Sequence, residues 1–221
     1  MISDFKQIEE LFKETDQQLT SDINLYIIGG AVLLHQGLKP ATKDIDVILP
    51  NNESYGALLK ALTSLGFKRK KPTETCKTTE INVILEKRDF RFDLFLQKVF
   101  KKISLTNEMK NRAINILKMR HLNVFLCSNE DIFIFKSMTV RKGDLEDCIT
   151  LAKRGINWDI ILKEIQSQIK HSGEDVWITW IGERVDLLED EGINIPIMKE
   201  INKLRDNYFE KNGNKNLHLF S

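Results

Sequence analysis

Apolar positions along this chain recur with two periods, and the change from one to the other divides it. From residue 4 to 19, Phe5, Ile8, Leu11, Phe12 and Leu19 fall at helical spacing among charged residues, which predicts an amphipathic helix against the edge of a sheet. An apolar run over 24–28 then reads as a strand, 31–35 as a short helix closed by Gly37, and 44–49 as a second strand entered past Pro40. The turn-forming 51–54 opens a helix through Leu58, Leu59, Leu62 and Leu65 that stops at Gly66. Residues 79–85 and 89–96 are predicted strands joined through Glu86-Lys87-Arg88, and 122–127 is the last. In 89–96, Phe92, Leu94 and Leu96 share one face, and Arg91 and Asp93 the other.

Beyond residue 127 the strand signals stop. Ser128-Asn129-Glu130-Asp131 has the form of a helix cap ahead of Ile132, Phe135 and Met138. Further helices are predicted over 144–153 up to Gly155, from Asn157 or Asp159 to about 169, around Trp177, Trp180, Val185 and Leu188, and from 197 to about 209 behind Pro196. The polar 211–216 reads as a frayed end. The expectation is an α+β fold, a mixed sheet flanked by helices over 1–127, followed by a C-terminal helical bundle over 128–221.

Charge changes this picture locally. The chain has 33 basic and 32 acidic residues in 221, so bulk charge marks no nucleic-acid binder. Between Gly66 and Phe125, however, 15 Lys/Arg stand against 6 Asp/Glu, a net of +9 that leaves the remainder at −8. The band Lys68-Arg69-Lys70-Lys71, Lys98, Lys101, Lys102, Lys110, Arg112, Lys118 and Arg120 could follow the backbone of an RNA over 68–120, or be solvated surface lysines. The first residues have no signal-peptide character and no apolar run is long enough to span a bilayer, so the expectation is a cytoplasmic protein without membrane contact. Cys76, Cys127 and Cys148 are too widely spaced for a disulfide framework or zinc cluster and read as incidental thiols. Trp177 and Trp180 read as a packing face, and the four histidines show no ligand spacing.

The candidate chemistry lies between the first two strands. A strand that stops at Gly29-Gly30 and turns into a helix exposes backbone N–H groups, and without Cβ atoms a phosphate can approach them closely. In Asp44-Ile45-Asp46, strand periodicity puts both carboxylates on one face. Two such carboxylates repel unless a cation lies between them, and a hard divalent ion such as Mg²⁺ or Mn²⁺ suits oxygen ligands. The plain alternatives are an ordinary strand-to-helix turn and a solvated strand edge.

Ile28-Gly29-Gly30, a spacer and Asp44-Ile45-Asp46 together resemble the defining motif of the nucleotidyltransferase superfamily related to DNA polymerase beta. Downstream, 131–136 with Lys136, and 141–147 with Asp144 and Asp147, look like the helical motifs of its toxin and abortive-infection branch. The resemblance covers about residues 24–154. It implies a third carboxylate from a neighbouring strand, for which Asp93 is the candidate and Asp89 the fallback. It implies that Asp44, Asp46 and Asp93 form the catalytic and metal-binding set, with Gly29, Gly30, Lys136 and Arg91 on the phosphates of a nucleoside triphosphate. The acceptor would be a hydroxyl of tRNA, another RNA or a protein, and a toxin would have an antitoxin-type protein partner. Many members have Gly-Ser where this chain has Gly29-Gly30, which removes a serine contact to phosphate. The same residues would also suit a module that binds nucleotide or RNA without turnover.

Overall fold

A computed structural model describes residues 1–70, 83–172 and 175–217. The predicted strand at 79–85 is therefore described only from Val83, and Lys71 and Cys76 lie outside the described residues. The chain divides into two compact units, Met1–Ser128 and Asn129–Ser221.

The first unit is built on a seven-stranded sheet. Its strands are β1 (Ile23–Ile28), β2 (Ile45–Leu49), β3 (Lys68–Lys70), β4 (Val83–Lys87), β5 (Phe90–Leu96), β8 (Ile114–Lys118) and β9 (Leu122–Leu126), in the spatial order β3-β4-β5-β2-β1-β9-β8. The short pair β6 (Lys98–Val99) and β7 (Ile103–Ser104) stands apart as a two-stranded ribbon. The three inner strands β5, β2 and β1 are the most apolar, and Leu25, Ile27, Ile45, Val47, Ile48, Leu49 and Leu94 are fully buried. Each such side chain contributes about 1.5–3 kcal/mol by leaving water. Antiparallel pairing of β1 with β2 and parallel pairing of β2 with β5 bring the end of β1 and the start of β2 to one end of the sheet.

Among the described residues of this unit the helices are α1 (Phe5–Asp16), α2 (Gly30–His35), α3 (Asn52–Ser64) and α4 (Asn107–Arg112). Helix α1 lies on a face of the sheet rather than at its edge. Its Phe12 ring meets Phe92 of the inner strand β5 at 6.1 Å, and Phe67 packs edge-on against the same ring at 5.5 Å. Asp16 at the helix end accepts hydrogen bonds from the backbone N–H groups of His121 (2.7 Å) and Leu122 (2.8 Å), which ties α1 to the start of β9. Helix α3 starts where expected, with the Asn51 side chain accepting from Ser54 N at 2.8 Å, and Gly66 at φ +89° follows its end. The connection between β4 and β5 is tighter than expected, because β4 runs on through Lys87 and Arg88 turns at φ 53°.

The second unit contains α5 (Asn129–Ser137), α6 (Lys142–Arg154), α7 (Trp158–Ser172), α8 (Trp177–Asp190) and α9 (Met198–Leu217). Its core gathers Ile132, Phe133, Cys148, Leu151, Ile161, Ile165, Trp177, Ile178, Ile181, Val185 and Leu188. At Gly182 of α8 the Arg205 side chain lies close against the backbone, its Cδ 2.2 Å from where a Cβ would be, and its guanidinium binds Asp186. Helix α9 continues through the polar 211–216, past the end expected near 209; Lys211 there reaches Asp175 at 3.4 Å, and Asn212 bonds back to the Tyr208 carbonyl. Among the described residues no helix is long and apolar enough to cross a membrane.

The tie at Asp16 is directly measurable. Asp16→Ala leaves the His121 and Leu122 N–H groups without that acceptor and should lower unfolding stability by about 1–3 kcal/mol in urea titrations.

Candidate nucleotidyl-transfer site

The site is set by register. Asp46 on β2 stands between Ile28, the last residue of β1, and Asp93 of β5. Asp44 lies just before β2, and Arg91 shares the face of β5 that carries Asp93. Asp46 and Asp93 are thus direct neighbours across the β2–β5 ladder. The opposite face of β2, with Ile45 and Val47, is fully buried, as strand alternation requires.

Gly29 follows Ile28 at φ 72°, ψ −149°, a conformation that a residue with a Cβ resists. A Cβ built there would lie 2.2 Å from Oδ2 of Asp46, so the carboxylate rests directly against the bare backbone of the turn. Gly30 is packed in the same manner against Thr42, whose Oγ1 would be 2.7 Å from an added Cβ. Thr42 is a site residue that the motif did not disclose. Its hydroxyl donates to the Asp44 carbonyl at 3.1 Å, and its backbone exchanges two hydrogen bonds with Ile2 (2.9 and 2.8 Å). The segment that presents Asp44 is thus anchored to the N-terminal residues.

Asp93 is 2% exposed and its charge is met by Arg91. The guanidinium binds it as a fork, Nε to Oδ1 and Nη2 to Oδ2, each at 2.7 Å. This is the strong bidentate geometry of an arginine–carboxylate pair. Among the described residues no three His, Cys, Asp or Glu side chains are gathered as a ready metal cluster. Asp89 lies in the turn before β5, outside the strand that carries Asp93.

Lys136 belongs to the second unit, on α5. Its ammonium lies 2.9 Å from Asp144 and 2.6 Å from Asp147, both on α6, and all three side chains are buried. Asp144 also accepts from Thr139 Oγ1 and from Arg141 Nε at 2.7 Å, and Arg184 of α8 donates to the Thr139 carbonyl. Burial alone would lower the Lys136 pKa, but Asp144 and then Asp147 outweigh it and hold the amine above its ordinary value. Burial would likewise raise Asp144, and Lys136, then Arg141, bring it below its ordinary value. Nearby, burial pushes the Cys148 thiol up to about 12, which makes it inert.

The two ends of the basic band lie apart. Lys68–Lys70 is β3, at one edge of the sheet, while Lys118 ends β8 at the other edge. Seven strands set these edges about 29 Å apart. Lys70 is also paired with Glu86 at 2.7 Å.

Two outcomes test this description. Gly29→Ala should cost about 1–3 kcal/mol from the backbone alone and displace Asp46, whereas Gly30→Ala meets only the rotatable Thr42 side chain and should cost less; paired denaturation curves give the ranking. Lys136→Met leaves two buried aspartates underpaired and should destabilise the second unit by about 3–5 kcal/mol. All three tryptophans, Trp158, Trp177 and Trp180, lie in that unit, so their fluorescence reports its unfolding. The stability that Asp144 contributes is present above about pH 3.9 and is lost as pH falls through its lowered folded value. That of Lys136 is complete below about pH 10.4 and is lost as pH rises through its raised folded value. The alkaline loss should be absent in Lys136→Met.

Comparison with known proteins bears on the fold and the family. Among the solved structures, the chain is similar to that of ANT(2")-Ia in complex with adenylyl-2"-tobramycin, at 13% identity and a TM-score of 0.50, over 76% of this chain and 98% of that one. At that identity the likeness concerns the fold. No curated protein matches. Residues 3–178 match the family described as nucleotidyltransferase of unknown function, DUF6036. These matches reach the superfamily at large rather than its toxin and abortive-infection branch. The chain belongs to the DUF6036 nucleotidyltransferase family, and it is a transferase.

Proposed function

We propose that this enzyme transfers a nucleoside monophosphate from a nucleoside triphosphate to a hydroxyl acceptor at the Gly29–Asp46 junction. The observation that carries the reading is the contact between the Asp46 carboxylate and the bare backbone of Gly29, with Asp93 and its Arg91 fork in the adjacent strand. It sets metal-ligating oxygen beside a turn that a phosphate can approach. Asp44 and Asp46 are hard oxygen donors from one face and fit a divalent ion such as Mg²⁺ or Mn²⁺. When bound, such an ion neutralises triphosphate charge.

The chain's own residues then have distinct tasks. Gly29 and Gly30 admit the triphosphate to the backbone, and Thr42 holds the segment that presents Asp44. Arg91 offers charge to a phosphate oxygen beside Asp93. The acceptor oxygen forms a bond to the α-phosphorus, the bond from that phosphorus to the β-bridging oxygen breaks, pyrophosphate leaves, and the hydroxyl proton passes to solvent.

The acceptor is best read as a compact polyhydroxylated molecule. The ends of the basic band lie at opposite sheet edges, whereas the solved neighbour is in complex with adenylyl-2"-tobramycin. Lys136 and Asp144, on which the likeness to the toxin branch rests, are engaged with one another in holding α5 to α6. The function is therefore read from the sheet.

Incubation with each α-labelled nucleoside triphosphate, Mg²⁺ and separate pools of aminoglycosides, total RNA and protein should label the aminoglycoside pool. Asp46→Ala should reduce labelling by more than about 100-fold. No label with any of the four nucleotides, or equal labelling by the variant, would overturn the reading; label on RNA alone would move the acceptor.

A further inference from the structure

Asp44, just before β2, Asp46 on β2, and Arg91 and Asp93 on β5 together carry a formal charge of −2. One divalent cation balances that. A site in which Asp44, Asp46 and Asp93 share two metal ions needs both Asp93 oxygens in reach of a metal, yet each accepts a 2.7 Å hydrogen bond from Arg91. The guanidinium remains charged at any ordinary pH, so a second cation would have to displace a charge that does not neutralise itself. The pair is also placed to persist. Arg91 and Asp93 are two residues apart on one strand face, Asp93 is buried, and Arg91 is about one-quarter exposed.

We infer that Arg91 stands in the place of the second cation: the site takes one divalent ion, on Asp44 and Asp46, and Asp93 is a positioning residue that aims Arg91 at the triphosphate. This rests on the nucleotidyl-transfer reading above. A planar guanidinium can hydrogen-bond phosphate oxygens and supply positive charge where the bond to the acceptor forms, but it does not acidify a bound hydroxyl as a metal ion does.

Mn²⁺ stoichiometry tests this without turnover. The full chain is titrated with Mn²⁺ in the presence of the α,β-methylene analogues of the four nucleoside triphosphates. Free Mn²⁺ is counted by electron paramagnetic resonance, and melting curves confirm that each variant is folded. One ion per chain is expected in the wild type and in Asp93→Asn, and two in Arg91→Leu, where the third carboxylate is released. The Arg91→Leu/Asp93→Asn double variant should return to one. Two ions in the wild type, falling to one in Asp93→Asn, would overturn the inference and restore a three-carboxylate, two-metal site. One ion in Arg91→Leu would also overturn it, because the arginine would then not be what excludes the second. These results differ from failure of the underlying reading, in which the wild type binds neither Mn²⁺ nor any analogue. The wild-type count decides the matter even if Arg91→Leu does not fold.

Discussion

The Asp46 carboxylate occupies space that the side chain of residue 29 would otherwise fill. A Cβ at Gly29 would come within 2.2 Å of Oδ2, and the backbone there has φ 72°, so sterics and conformation both require glycine. The rest of the site follows from this contact. It fixes how closely β1 and β2 approach at the end of their ladder, where Ile28 pairs with Asp46, and it sets a carboxylate oxygen against the bare backbone of the turn. The antiparallel pairing of β1 with β2 puts the turn and the aspartates at one end, and the parallel pairing of β2 with β5 adds Asp93 to the same end.

Buried charge is managed in two ways in this chain. In the sheet, Asp93 is compensated by a single arginine in a planar fork, which ties the charge to a direction as well as to a partner. In the helical unit, Lys136 is met by two aspartates one turn apart on α6, and Asp144 is further held by Thr139 and Arg141. Breaking either arrangement strands a charge away from water, at a cost above that of a surface pair. The helical network welds α5 to α6. The sheet network stands beside the candidate site at Gly29 and Asp46.

Much of the framework was legible because the hydrophobic period was strong where burial was deep. Strands β1, β2, β5 and β9 and helices α1, α3, α5 to α8 lie close to where the apolar pattern puts them. The region between Leu96 and Leu122 was not legible, because β6, β7, α4 and β8 are short, polar or half-exposed, and their residues gave only a charge count. That count carried no positions, and Lys68–Lys70 and Lys118 lie at opposite sheet edges. At the site, the motif pointed to Gly29, Gly30, Asp44 and Asp46, and the shared face of Arg91 and Asp93 was visible as a spacing of two. Their fork was not, because alternation tells which side a residue faces and not what it binds. Thr42 and Ile2 were missed for a related reason: their link is backbone hydrogen bonding, which has no residue signature.

Hydrophobic register also protects the chemistry. On β2 the residues alternate between core and site, with Ile45 and Val47 fully buried and Asp46 on the other face. A slip of one residue against β5 would turn Asp44 and Asp46 into the core and Ile45 and Val47 toward the site. It would bury two carboxylates without a guanidinium and expose two β-branched side chains, so each part of the change opposes it. The folding energy of the sheet and the placement of the carboxylates are thus one constraint: the apolar residues that stabilise β2 also hold Asp46 against Gly29 and level with Asp93.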